Sequence, residues 1–176
     1  MKIVKLYALG GFVVRTVLMD GEFEKIKPED EIDINIPAAR EHVGKIERYH
    51  CTLKERCRCV LSDMRPIRSD AYQYLHKQIV IRLVYFCVMM INDIPAAKGI
   101  SDRFAPREIV TGWRLNLKYI KAEFGETDKI VTNDMKGRTH GCISLGPSEN
   151  WQGSQVCFDL ETGRVVLRRN IKVLPI

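Results

Sequence analysis

Long apolar runs are absent from this sequence, and histidine, tryptophan and zinc-type cysteine spacings are scarce. The most apolar stretch, residues 79–91, is interrupted by Arg82. It is too short and too charged to cross a bilayer. Met1-Lys-Ile-Val-Lys-Leu-Tyr7 has no apolar region followed by a small-residue cleavage site, so it does not read as a secretory signal. These absences predict a soluble protein of the cytoplasm or nucleus, not secreted and with no membrane partner. The six cysteines (Cys51, Cys57, Cys59, Cys87, Cys142 and Cys157) contain no Cys-x-x-Cys pair, and no histidine pair has zinc-ligand spacing. Free, reduced core thiols are expected. Cys51, Cys57 and Cys59 have room for redox chemistry that nothing in the sequence demands. No internal repeat or low-complexity segment is present.

Positive charge is what the chain has in excess. Its 176 residues carry 28 Lys and Arg against 22 Asp and Glu, a net charge of +6. The length allows one domain or two small ones. Apolar residues at 45% and charged residues at 28% make an ordinary globular balance, which argues against wholesale disorder. A basic balance points to a polyanion only where the cations cluster, because clustered Lys and Arg release phosphate counterions.

Residues 1–9 read as the end of an amphipathic helix with Ile3, Val4, Leu6 and Tyr7 on one face, stopped by Gly10-Gly11. Residues 12–19 are β-branched and mostly apolar, which predicts a buried strand. Asp20-Gly21 ends it, placing Asp20 at a carboxyl end, where ligands of open α/β sheets gather. Ile32-Asp-Ile-Asn-Ile36 alternates with period two and predicts a short half-buried strand. Residues 41–63 predict a long helix whose buried stripe is Val43, Ile46, Leu53, Cys57, Val60 and Leu61. A second long helix is expected from Ser69-Asp70 through Ile91. Being apolar nearly all round, it should be the central packing helix. A short helix follows, with Pro106 at its start and Gly112 after its end. From Trp113 onward the runs 128–133, 140–145, 155–159 and 164–168 predict short strands separated by turns at Gly146-Pro147, residues 150–153 and residues 161–163. Such closely spaced strands predict a small antiparallel β-barrel. The expected class is α+β, with domains at 1–112 and 113–176.

The chemistry-bearing pattern lies in the 41–63 helix. Glu47, Cys51, Lys54 and Arg58 recur three or four residues apart, so they share one stripe. Lys45, Arg48 and Arg56 add charge nearby. A solvated helix face is the plain account of these cations; contact with phosphate is the functional one. The plain account of Asp20 is a turn residue in an Asp-Gly pair. Lys136, Arg138, Arg164, Arg168 and Arg169 give the β-rich part its own basic character. Trp113 and Trp151 could stack on bases or serve as a hinge and a turn residue.

Several of these segments, in the same order, resemble a known family. Val17-Leu-Met-Asp-Gly-Glu-Phe23 is similar to the motif around the second aspartate of retrotransposon integrases. Glu41-His-Val-Gly-Lys-Ile-Glu-Arg48 resembles their Gly-x-x-Glu-Arg motif. Ile91-Asn-Asp-Ile-Pro95 and Pro106-Arg-Glu-Ile-Val-Thr-Gly112 resemble segments of copia-type elements. Ile143–Gly146, Phe158–Gly163 and Val166–Asn170 resemble the small β-module that follows the integrase core.

The resemblance implies a partial RNase H-like α/β core of two short strands and two long helices, followed by the barrel. It implies Asp20 and Glu47 as catalytic ligands of Mg²⁺ or Mn²⁺, which suit hard oxygen donors. It also implies DNA contacts at Lys45, Arg48, Lys54 and Arg58, and DNA strand transfer in the intact family. The sequence departs from the family pattern in lacking the first aspartate, in losing the Asn after Asp20, and in a shorter Asp20–Glu47 interval. DNA binding without two-metal catalysis is therefore expected, with self-association possible through an open strand edge. The rivals are a noncatalytic nucleic-acid- or protein-binding module and a purely structural α+β domain.

Overall fold

The structure is a computed structural model, which describes residues 2–19, 32–36, 44–64, 75–97, 99–131, 139–148, 150 and 152–173. Among them are helices α1 (Lys2–Leu9), α2 (Gly44–Asp63), α3 (Lys77–Asp93) and α4 (Pro106–Thr111). The strands are β1 (Thr16–Leu18), β2 (Asp33–Asn35), β3 (Thr127–Val131), β4 (Thr139–Pro147), β5 (Gln155–Asp159), β6 (Val165–Arg168) and β7 (Ile171–Val173). The mixture of helix and strand agrees with the α+β expectation. The chain forms two compact units. One comprises Met1–Lys54 and Met90–Leu115, the other Glu55–Met89 and Asn116–Ile176.

In the first unit, α1 stops where the sequence places Gly10-Gly11. The Gly11 N–H donates to the Ala8 carbonyl at 3.0 Å, and Gly11 takes φ 77°, which glycine adopts without steric cost. Gly10 serves packing. A Cβ there would lie 1.9 Å from the Val110 carbonyl oxygen, so only glycine lets α1 meet α4 this closely. At the far end of α4, Gly112 at φ 71° donates its N–H to the Glu108 carbonyl at 2.8 Å.

β1 and β2 pair in parallel, Val17 opposite Ile34. The expectation of a buried strand over 12–19 is not met: Val13 is 81% exposed and Leu18 46%. Among the described residues β1 has only β2 as a ladder partner. A two-stranded ribbon has too little neighbouring structure to cover both faces.

The second unit is built on a five-stranded antiparallel sheet in the order β6-β5-β4-β3-β7. β6 and β7 are joined only by Arg169 and Asn170, yet they lie at opposite edges. Four interstrand steps of a flat sheet would separate those edges by about 19 Å. The three residue steps from Arg168 to Ile171 reach about 10 Å at most. The sheet must therefore roll until its edges approach. β4 accommodates the bend with a register shift between Ser144 and Pro147, where Gly146 takes φ 91°. Gly146-Pro147, expected as a turn, is instead this irregularity inside a nine-residue strand.

The expected barrel is not closed. Among the described residues β6 and β7 do not pair with each other. Each is only three or four residues long and ladders with one neighbour, and the two-residue link carries the chain straight from one edge to the other.

Register assigns the faces. Asp128 opposes Cys142, Cys142 opposes Asp159, and Ser144 opposes Cys157, so these side chains share the face of the core formed by Ile130, Cys142 and Cys157. Ile143, Leu145, Val156 and Phe158 lie on the other face and are also buried. Phe86 of α3 helps to cover that side: a Cβ on Gly146 would meet it at 2.7 Å. Phe86 also packs on Phe124 with ring centroids 5.1 Å apart.

α3 differs from expectation at its start and on one side. Ser69 and Asp70 lie outside the described residues. The described helix begins at Lys77, where His76 Nδ1 accepts the Gln78 N–H at 3.3 Å. Ile79, Leu83, Cys87 and Met89 are buried, whereas Val80, Ile81, Val84 and Tyr85 remain exposed. The helix packs through one face and is not the all-round core element its composition implied.

Candidate nucleic-acid interface

α2 forms because its residues are mainly straight-chain helix formers, with no proline and no glycine beyond Gly44. Thr52 returns its hydroxyl hydrogen to the Arg48 carbonyl at 3.0 Å, which removes a competing polar group. The inward side matches the predicted stripe at Leu53, Cys57, Val60 and Leu61, all half-buried. Ile46 does not belong to it: it is 42% exposed, and Tyr49 nearby is 67% exposed. Val43 lies outside the described residues.

The outward side carries the candidate residues. Arg48, Lys54, Arg56 and Arg58 are exposed, with Glu47 and Glu55 the acids among them. Lys54 and Arg58 stand at i and i+4, a like-charged pair that costs an isolated helix a few tenths of a kcal/mol. Glu47 occupies the first turn, where the positive end of the helix dipole favours a carboxylate. Glu47 is engaged by a partner rather than free. Lys45 lies in the same turn, but its side chain is not described.

Asp20 lies outside the described residues, so its expected pairing with Glu47 has no geometry here. Among the described residues no three His, Cys, Asp or Glu side chains come together as a metal-binding group. Glu47 alone offers one carboxylate on an exposed helix face. A two-metal centre needs more than one such ligand.

On the rolled sheet, Arg164 and Arg169 are exposed. Arg168 is half-buried and donates to the Leu167 carbonyl at 3.0 Å. Lys136, Arg138 and Trp151 lie outside the described residues. Trp113 is half-exposed and engaged by a partner. The sheet also aligns a like-charged pair that sequence reading missed: Lys129 and Lys172 face each other across β3 and β7, both exposed. Only the strand register reveals them.

Two further polar features were missed. Asp93, with its side chain fully buried, accepts two hydrogen bonds from Arg107 Nη1, at 3.0 and 3.3 Å. They tie the Asn-Asp-Ile-Pro segment at the end of α3 to the first turn of α4. Inside the rolled sheet, both Asp128 carboxylate oxygens and the Ser144 hydroxyl are buried without a hydrogen-bond partner among the described residues. Burial, and then the charge of Glu126, raise the Asp128 carboxyl from 3.8 to about 6. Asp159 behaves oppositely. Burial alone would raise it, but hydrogen bonds from the Glu161 N–H and from Thr162 outweigh burial and hold it below the usual carboxylate range.

No protein-family model matches the chain, and no curated protein matches it either.

Proposed function

We propose that this chain is a retrotransposon integrase-like fragment that binds DNA through the exposed basic side of α2 and does not by itself carry out strand transfer. In this reading residues 1–112 correspond to the partial RNase H-like core. Residues 113–176 are the β-module that follows it, with the rolled sheet in the role of its barrel. The parallel pairing of β1 with β2 and the placement of α2 after β2 are consistent with an α/β core. Catalysis is left out because Glu47 is a single carboxylate on an exposed helix face.

The observation that carries the reading is the exposure of Arg48, Lys54 and Arg58 on one helix, with Lys54 and Arg58 a like-charged pair one turn apart. Phosphate oxygens relieve that repulsion and release counterions on contact. The reading is tested by fluorescence anisotropy with labelled duplex DNA at low and at physiological salt. Binding that weakens steeply with salt supports it, and an affinity indifferent to salt rules it out. Mg²⁺ and Mn²⁺ titrations of the wild type and of Glu47→Gln address the metal separately. Tight metal binding that depends on Glu47 would overturn the exclusion of catalysis.

A further inference from the structure

An apolar surface of the first unit is left uncovered. Ile3, Leu6 and Tyr7 recur at helical spacing along α1 and share one face. All three are exposed, Ile3 by 56%, and Leu9 at the end of the helix is 84% exposed. The surface continues past the Gly10-Gly11 turn. The Phe12 N–H donates to the Tyr7 carbonyl at 3.0 Å, and the two rings stand edge to face with centroids 6.3 Å apart. Phe12 is exposed as well. α1 meets α4, yet of its larger apolar side chains only Val4 is half-buried. Ile3, Leu6, Tyr7, Leu9 and Phe12 together leave about 600 Å² open per chain, the upper end of what a soluble monomer exposes in one patch.

We propose that this surface is where two copies of the chain meet, as a two-fold dimer that sets the exposed face of α1 and Phe12 of one copy against the same face of the other. Pairing the surface with itself buries about 1,200 Å² in all, which reaches the low end of specific interfaces and makes the dimer weak and reversible. A two-fold contact requires only that a patch complement itself, and an apolar patch does so without opposite charges. The charges of α1 are Lys2 and Lys5, and each copy carries a net +6. Electrostatics therefore oppose the pairing, and added salt strengthens it by screening that repulsion. DNA binding through α2 has the reverse salt dependence. The proposal does not rest on DNA binding, and the two readings fail separately.

The test is sedimentation equilibrium of the nuclease-treated full chain from about 1 to about 200 μM, at low and at high salt. A monomer–dimer equilibrium is expected, with a Kd on the order of 10–100 μM that tightens as salt rises. Ile3→Gln and Leu9→Gln remove apolar surface at exposed positions without changing the net charge, and each should weaken the dimer about tenfold or more. Circular dichroism checks that both variants fold. Tyr85→Gln, on the exposed side of α3, should leave the dimer unchanged. A chain that stays monomeric to about 200 μM at high salt overturns the proposal. So does a dimer that survives both α1 variants, or one that Tyr85→Gln abolishes. A monomer that instead floats with phosphatidylserine-containing vesicles, and no longer does so in Leu9→Gln, assigns the surface to lipid and overturns it as well.

Discussion

Replacing Asp128 by asparagine should make the protein more stable relative to wild type at high pH than at low pH. Asp128 is fully buried on the inner face of the rolled sheet, and neither carboxylate oxygen has a partner among the described residues. Burial disfavours its charged form, and Glu126 adds to the effect, so the folded carboxyl titrates near about 6 instead of 3.8. The folded protein holds this proton in a range where the unfolded chain has already lost it. Stability from this group is therefore full below about pH 4 and falls as pH rises toward and past about 6. A shift of about two units corresponds to roughly 3 kcal/mol. Asparagine has nearly the same shape and does not titrate. The assay is urea unfolding of both proteins across that range, followed by circular dichroism. Whatever the amide costs in absolute terms, the stability difference between variant and wild type should move by about 3 kcal/mol in favour of asparagine from low to high pH. Groups that the substitution leaves untouched contribute alike to both profiles and largely cancel. Parallel pH profiles would refute the reasoning, because they would mean that Asp128 ionises as readily in the folded protein as in the unfolded one.

Removing either partner of the Asp93–Arg107 pair should destabilise the first unit. Asp93→Asn and Arg107→Met should each cost about 2–3 kcal/mol, with a double-mutant cycle recovering a coupling above about 1 kcal/mol; additive losses would deny the interaction. Gly146→Ala forces a side chain into φ 91° and against Phe86, so thermal unfolding should show a loss of about 2–3 kcal/mol. Pairing it with Phe86→Leu should return only the steric part of that loss. Lys129→Glu places opposite charges across β3 and β7, and urea unfolding should show a gain of up to about 1 kcal/mol that shrinks at high salt.

Some of this architecture was legible because it is local. Glycine with positive φ and proline at a helix start punctuate α1 and α4 where the sequence places them, and the 155–159 run coincides with β5. Burial was less legible. The β-branched run at 12–19 looked like an interior strand because periodicity records which side chains are apolar and not whether a neighbour exists to cover them. α3 misled in the same way, since its exposed Val80, Ile81 and Val84 are indistinguishable in composition from its buried Ile79 and Leu83. Gly146-Pro147 reads as a turn from residue type, yet the same chemistry serves a bend within a strand. The Lys54–Arg58 pair on α2 was readable because helical spacing alone decides which residues stand one turn apart. Asp93 and Arg107, fourteen residues apart across a loop, and Asp128, on a strand paired on both sides, needed tertiary structure to be found.

The most direct test of the DNA-binding account is the salt dependence of duplex DNA affinity for the wild type against a variant with Arg48, Lys54 and Arg58 changed to alanine. The account predicts that the slope of log affinity against log salt becomes shallower by about 2.7, close to 0.9 for each lost phosphate contact. A variant that keeps the wild-type slope and affinity would contradict it and take α2 out of the interface.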